Sequence, residues 1–154
     1  MAKLSITKIF TFEAAHALKG YDGLCANIHG HSYRLEVTVR SVLPIQENSF
    51  LHSHTEDPKT GMLMDFSELK KIVNRSIIEP FDHSLFLNRD ADWKWTEALQ
   101  KDGMRIVMLP YQPTSENLLL DFSRRLQKVL PPHVKLTKLR LYETASSYTD
   151  WEDE

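Results

Sequence analysis

The chain has 154 residues, enough for one domain with a substantial core and too few for two comfortable ones. Hydrophobic residues make up 42% and charged residues 26%, the balance of a soluble globular protein rather than a disordered one. Against 21 Asp plus Glu stand 19 Lys plus Arg, and a net charge of -2 argues against a nucleic-acid protein that relies on bulk positive charge. No apolar run approaches the roughly 20 residues that cross a bilayer, and Met1-Ala2-Lys3-Leu4 lacks the apolar stretch of a signal peptide. A lone cysteine, Cys25, excludes an internal disulfide framework and a Cys-rich structural zinc site. The expectation is a cytoplasmic enzyme or binding protein with no nucleic-acid or membrane partner.

In chain order, Lys3 to Ala15 reads as a strand, with Leu4, Ile6, Phe10, Phe12 and Ala14 on one parity and Lys8-Ile9 breaking the pattern. A loop punctuated by Gly20 and Gly23 follows. His31 to Val42 is a second strand, with Tyr33, Leu35, Val37 and Val39 alternating with polar residues. Pro44 to Gly61 reads as a long polar hairpin loop. Asp65 to Glu79 reads as a helix capped by Asp65, with Phe66, Leu69, Ile72, Val73 and Ile77 in one stripe and Pro80 as its stop. Phe81 to Asn88 reads as irregular, Asp92 to Lys101 as a short helix and Arg105 to Leu109 as a short extended piece. A second long helix is expected over Ser115 to Val129, capped by Thr114, with Leu118, Leu119, Phe122, Leu126 and Val129 inward. Val134 to Glu143 and Ser146 to Trp151 read as the last strands. The order β-β-α-α-β-β predicts an α+β fold, a four-stranded antiparallel sheet with two helices on one face.

His29-Gly30-His31 carries the chemical argument. Residues i and i+2 of a strand face one side, so both imidazoles converge, and Gly30 leaves room between them. His31 shares the inward parity of Tyr33, Leu35 and Val37, and His16 that of Phe10, Phe12 and Ala14. If the two strands pair as a hairpin, three imidazoles meet at one end. Three neutral imidazoles with an open fourth position suit a catalytic zinc; three unrelated, hydrogen-bonded histidines are the alternative.

Cys25 lies four residues before His29. It reads as a thiolate base beside the metal, as a small buried hydrophobe, or as a fourth ligand that closes the site. Asp82-His83 is either an oriented imidazole or ordinary loop polarity. Glu143 follows Leu139 and Leu141 on the same parity: it either ends an inward row, where a fork of N–H donors would satisfy it, or stands in solvent. His52, His54 and His133 read as exposed, and the acidic end, Asp150 to Glu154, as solvated.

The segments Phe12-Glu13-Ala14-Ala15-His16, Cys25-Ala26-Asn27-Ile28-His29-Gly30-His31, Gly61-Met62-Leu63-Met64-Asp65-Phe66, Asp82-His83, Pro113-Thr114-Ser115-Glu116-Asn117 and Glu143-Thr144 run in one order along most of the chain. Together they resemble the 6-pyruvoyl-tetrahydropterin synthase / 6-carboxytetrahydropterin synthase family. The resemblance implies a single tunnelling-fold (T-fold) domain over 1–154 and Zn2+ on His16, His29 and His31. It implies Cys25 and the Asp82–His83 pair as catalytic groups and Glu143 as the pterin anchor. It also implies a pterin triphosphate substrate and a homohexamer built as a dimer of trimers. Three residues separate Cys25 from His29, as in the family's bacterial 6-carboxytetrahydropterin synthases of queuosine biosynthesis; the animal pyruvoyl synthases have five. The glutamate that a folate-linked group places just before the H-G-H motif is absent: Ala26-Asn27-Ile28 stands there. The Pro44–Thr60 loop and the Asp90–Leu109 segment depart from the pattern. The implied activity is a zinc-dependent lyase releasing acetaldehyde and triphosphate from 7,8-dihydroneopterin triphosphate. A pyruvoyl synthase and a non-catalytic zinc- or pterin-binding module are the alternatives.

Overall fold

The structure, a computed structural model, describes residues 4–42 and 58–153. β1 (Ser5–His16) and β2 (His29–Ser41) pair antiparallel over their full length, from Ser5↔Arg40 to His16↔His29. β5 (Val134–Thr144) adds antiparallel to β2, and β6 (Ser147–Glu152) to β5. Alternation holds through the whole of β1. Lys8 keeps the inward parity and lays its ammonium 6.0 Å from the centre of the Phe66 ring, while Ile9 faces out, half exposed. The expected break at Lys8-Ile9 is therefore absent, because a long amphipathic side chain occupies an inward position at the sheet margin without burying its charge.

The sheet is larger than the four strands expected and is mixed. β3 (Ser84–Asn88) pairs parallel to β1, and β4 (Ile106–Leu109) parallel to β3, in the order β4-β3-β1-β2-β5-β6. The segment expected to be irregular is thus β3. Its Phe86 and Leu87 are adjacent and both buried, so no period-2 signal marks it; five residues paired to a strand some 70 positions away carry little local information.

The first long helix is α1 (Phe66–Val73), a π-helical turn (Asn74–Ile78) and α2 (Glu79–Phe81) in succession. Asp65 caps it by accepting the Ser67 N–H at 2.7 Å. Pro80 does not stop it: the widened turn precedes the proline, which has no N–H to give, and the helix runs on to Phe81. Phe66 lies outside the inward stripe, half exposed, whereas Leu69, Val73 and Ile77 are buried. α3 (Thr96–Lys101) is shorter than expected and contributes no buried residue. α4 (Ser115–Gln127) begins at Thr114, whose hydroxyl accepts the Asn117 N–H, and ends before Val129, which is half exposed.

The core lies between one sheet face and the α1–α2 and α4 helices. Phe12 stacks on Tyr33 at 5.0 Å and meets Phe122 edge-on at 6.3 Å, with Leu35, Val37, Leu118 and Leu139 fully buried around them. Each such side chain contributes about 1.5–3 kcal/mol by leaving water. This packing sets the height of β1 and β2 and so the place of their terminal histidines. The long polar loop falls mostly at 43–57, outside the described residues, as do His52 and His54; His133 is exposed, as expected. Among the described residues no helix is long and apolar enough to cross a membrane.

Candidate metal centre and active site

The pairing of β1 with β2 builds the centre. His16 stands opposite His29, and His31 opposite Ala14, all on the inward parity. His16 Nε2 lies 2.9 Å from His29 Nε2 and 3.2 Å from His31 Nε2. Between them Gly30 passes close to β1: a Cβ there would stand 3.3 Å from the Ala14 carbonyl oxygen. A larger residue would press on the pairing that brings the imidazoles together.

The other side of each ring is tied to backbone. The Pro113 carbonyl accepts from His16 Nδ1 at 2.7 Å, the Asn27 carbonyl from His29 Nδ1 at 2.8 Å, and His31 bonds to the backbone of Glu143. Carbonyls accept only, so His16 and His29 carry their protons on Nδ1 and turn bare Nε2 lone pairs to one point. Two such lone pairs 2.9 Å apart repel unless a cation lies between them. Ligands on a tetrahedral zinc, with Zn–N of about 2.0–2.1 Å, sit ~3.3 Å apart, so the donor set fits a metal with little adjustment. Burial lowers His16 to about 4, against the raising effect of the Pro113 bond, and burial with its imidazole neighbour lowers His31. Both rings are neutral at pH 7, as ligation requires. Among the described residues these three histidines form the one cluster whose donor atoms lie within 4.8 Å of one another; Cys25 is not part of it.

The scaffold behind His16 comes from the start of α4. Thr114 caps the helix, Asn117 donates its side-chain amide to the Gln112 carbonyl at 2.9 Å, and Pro113 is left presenting its carbonyl to the ring. Ser115 ties this corner to Thr149 of β6 at 2.7 Å.

Glu143 sits at a β-bulge, where the β5–β6 register shifts between Tyr142 and Thr144. Its carboxylate reaches to 4.0 Å from His16 Nε2 and is largely screened from solvent. It therefore ends the inward row rather than standing in water. Burial, and then Glu116 in the first turn of α4, push its pKa up, and His29 partly offsets this. The carboxylate thus stands directly beside the metal-type triad, 4.0 Å from one of its nitrogens. Burial, with Glu143 nearby, also holds the Tyr33 phenol protonated well above its usual range.

Asp82 and His83 form a corner clasped to β1. The His83 N–H donates to the Glu13 carbonyl at 2.6 Å, and the Glu13 N–H donates to the Asp82 carboxylate at 2.9 Å. His83 adopts φ 54°, the one non-glycine residue in the left-handed region among those described, a conformation of order 1–3 kcal/mol for an ordinary residue. Burial raises the Asp82 carboxyl, but its bonds from Glu13 and His83 together outweigh that and hold it below the usual range. Its oxygen lies 2.9 Å from His83 Nδ1, so Nε2 is the nitrogen turned away from the carboxylate on a largely exposed ring. His83 opens on a cavity of about 570 Å³, lined also by Glu13, Ser32 and Arg105, that reaches His31.

Cys25 lies in a 3-10 turn, Leu24–Ala26, and its carbonyl accepts the Leu18 N–H at 2.9 Å, which closes the β1–β2 loop. The thiol is half-buried and free. Neither it nor His83 hydrogen-bonds to the three imidazoles. Sequence reasoning assigned no role to Glu13, Tyr33 or Glu116. Glu116 alone carried a signal, as an acidic residue just inside a capped helix; the other two are defined by strands pairing across the fold.

The chain spans nearly the whole of several curated proteins. It is 30% identical over 150 residues to the 6-carboxy-5,6,7,8-tetrahydropterin synthase of Haemophilus influenzae, covering 96% of this chain and 98% of that one. It is 33% identical over 134 residues to the 6-pyruvoyl tetrahydrobiopterin synthase of Pongo abelii, covering 86% and 72%. In fold it matches the crystal structure of an uncharacterised protein from Wolinella succinogenes, with a TM-score of 0.76 at 19% identity and full coverage of both chains. It also matches the 6-pyruvoyl tetrahydropterin synthase of Caenorhabditis elegans, with a TM-score of 0.65 at 23% identity over 100% and 98% of the two chains. The architecture is thus the α+β T-fold, with two parallel strands added to the four that the sequence suggested. A family model described as 6-pyruvoyl tetrahydropterin synthase matches residues 5–154, and the chain belongs to that family.

Proposed function

We propose that the chain is a zinc-dependent 6-carboxy-5,6,7,8-tetrahydropterin synthase. It would act on 7,8-dihydroneopterin triphosphate and release acetaldehyde and triphosphate. The carrying observation is the convergence of three backbone-anchored imidazoles beside the carboxyl of Glu143. The spacing of Cys25 from His29 and the relatives named 6-carboxy-5,6,7,8-tetrahydropterin synthase support the choice of product.

His16, His29 and His31 would hold zinc through Nε2, where a Lewis acid would make substrate hydroxyls more acidic. Glu143 anchors the amino-pyrimidine edge: two parallel N–H donors on one carboxylate fix the plane of the ring and relieve the burial that raises its pKa. Cys25 takes a proton from the side chain of the substrate. His83 exchanges a proton on the other face through Nε2, with Asp82 holding the ring and stabilising its charged form. The strained, clasped backbone at His83 keeps that ring in one place.

Incubation of the zinc-loaded protein with dihydroneopterin triphosphate tests this reading. Acetaldehyde and triphosphate in equal amounts are expected. Triphosphate without acetaldehyde would replace it with the pyruvoyl synthase, and pterin binding without turnover with a non-catalytic module.

The same proposal includes assembly. β4 and β6 are the sheet edges, and the face away from the helices presents Thr7, Ile9, Thr11 and Glu13 to solvent. Edge-to-edge closure of three chains into a barrel, two such rings stacking, would cover both and let a neighbour's Cys25 serve a triad that its own does not touch. Sedimentation equilibrium over a dilution series is expected to give a hexamer, or a trimer at the lowest concentrations. A fully active monomer at micromolar concentration would overturn the shared site.

A further inference from the structure

At the opposite end of the sheet from the histidines, about 36 Å away along β1 at ~3.3 Å per residue, lies a cavity of about 670 Å³ lined by Ser5, Thr38, Arg40, Lys135 and Lys138 and, on one side, by the carboxylates of Glu152 and Asp153. The geometry points to a second binding site there, for a small oxyanion of the phosphate class.

The cavity owes its composition to a bulge. The β2–β5 register shifts between Thr38 and Val39: Thr38 faces Lys138, but Val39 faces Leu136 and Arg40 faces Lys135. In a regular strand Lys135 and Lys138, three residues apart, would point to opposite faces. The extra residue, Thr137, brings both to the face of Arg40 and Thr38, just as Leu136 and Leu139 are both buried on the other side. The Thr137 hydroxyl donates to the Thr38 carbonyl at 3.3 Å and locks the distortion.

Charge balance then singles out Arg40. Lys135 is paired with Asp153 at 2.8 Å, and Lys138 with Asp150 at 3.2 Å and with Glu152. On the same face of β2, Arg34 is paired with Glu36 at 2.8 Å. Among the described residues Arg40 has no carboxylate partner, and its Nε–H is the one buried side-chain polar atom left without an acceptor. A guanidinium donor without an acceptor is unfavourable in a folded chain, and the rest of that guanidinium borders the cavity. A planar fork of donors suits an oxyanion with two oxygens to offer, and the Ser5 hydroxyl, a Thr38 hydroxyl shared with Thr7 and two carboxylate-paired lysines stand around it. The site shares no residue with the histidine centre, so it stands or falls independently of the proposed reaction.

Isothermal titration of the assembled protein with inorganic phosphate, at constant ionic strength in chloride, tests it. Saturable uptake of about one phosphate per chain is expected, retained in His31→Ala, where the zinc centre cannot contribute. Affinity is expected to fall about tenfold or more in Arg40→Gln, and less in Lys135→Gln. Should Arg40→Gln fail to fold by circular dichroism, Arg40→Lys keeps the charge and loses the fork, and weakened binding is again expected. Three results would overturn the site. One is no uptake by the unmodified protein. Another is equal affinity in the Arg40 variants. The third is loss of assembly in Arg40→Gln with phosphate uptake unchanged, which would give the guanidinium a carboxylate of a second copy as its partner.

Discussion

Replacing His31 by alanine is expected to leave the protein folded but with most of its zinc and most of its activity gone. The three Nε2 atoms lie at 2.9 and 3.2 Å across a shared point, and two imidazoles alone are a weak divalent site. His31 is half-buried at the rim rather than packed in the core, so its loss removes a ligand without opening a large cavity. The same logic extends one step outward. Anchoring of His16 on the Pro113 carbonyl is expected to matter for metal affinity by about 10–100-fold, as outer-shell partners do elsewhere. Asn117→Ala, which frees the Gln112–Pro113 backbone, reports on it. Metal content per chain, measured beside the circular dichroism spectrum, decides the matter: full zinc occupancy in His31→Ala would sink the triad.

Cys25→Ala is expected to do the reverse, keeping zinc and fold while turnover falls by about 10²–10⁴, the usual contribution of a positioned acid or base. Three roles for Cys25 are compatible with its place in the sequence. The ligand role predicts metal loss on substitution, and the packing role predicts lower stability with activity intact. The geometry favours neither: the thiol is outside the cluster of donor atoms and only half-buried, while its backbone holds the β1–β2 loop through Leu18. That backbone bond survives the substitution, so the loop should keep its shape. Zinc content, melting temperature and acetaldehyde release measured on one preparation separate the three roles.

The two long strands and their inward faces could be read directly from the chain. Alternation over Leu4 to Ala14 and over Tyr33 to Val39 is set by the pleat alone, and a hairpin between them forces His16, His29 and His31 together at one end. The caps of the two main helices were equally legible, since Asp65 and Thr114 act on amides two and three residues away. Glu143 was harder. Its parity pointed inward, but whether the strand still ran at that position depended on a bulge set by β6.

Composition and periodicity by themselves determined an α+β chain with two long strands, two capped helices and three histidines on one inward parity, because pleat, helical turn and cap all act within a few residues. Only the tertiary structure decided that the sheet has six strands, since β3 and β4 are short, lack alternation and exist through parallel pairing with distant partners. It alone decided that Glu13 clasps the Asp82–His83 corner and that Pro113 orients His16. It alone brought Glu116 beside Glu143 and left Arg40 Nε without an acceptor among the described residues. Each of these depends on backbone groups or charges meeting across long stretches of chain, and residue type carries no trace of such meetings until the core has packed.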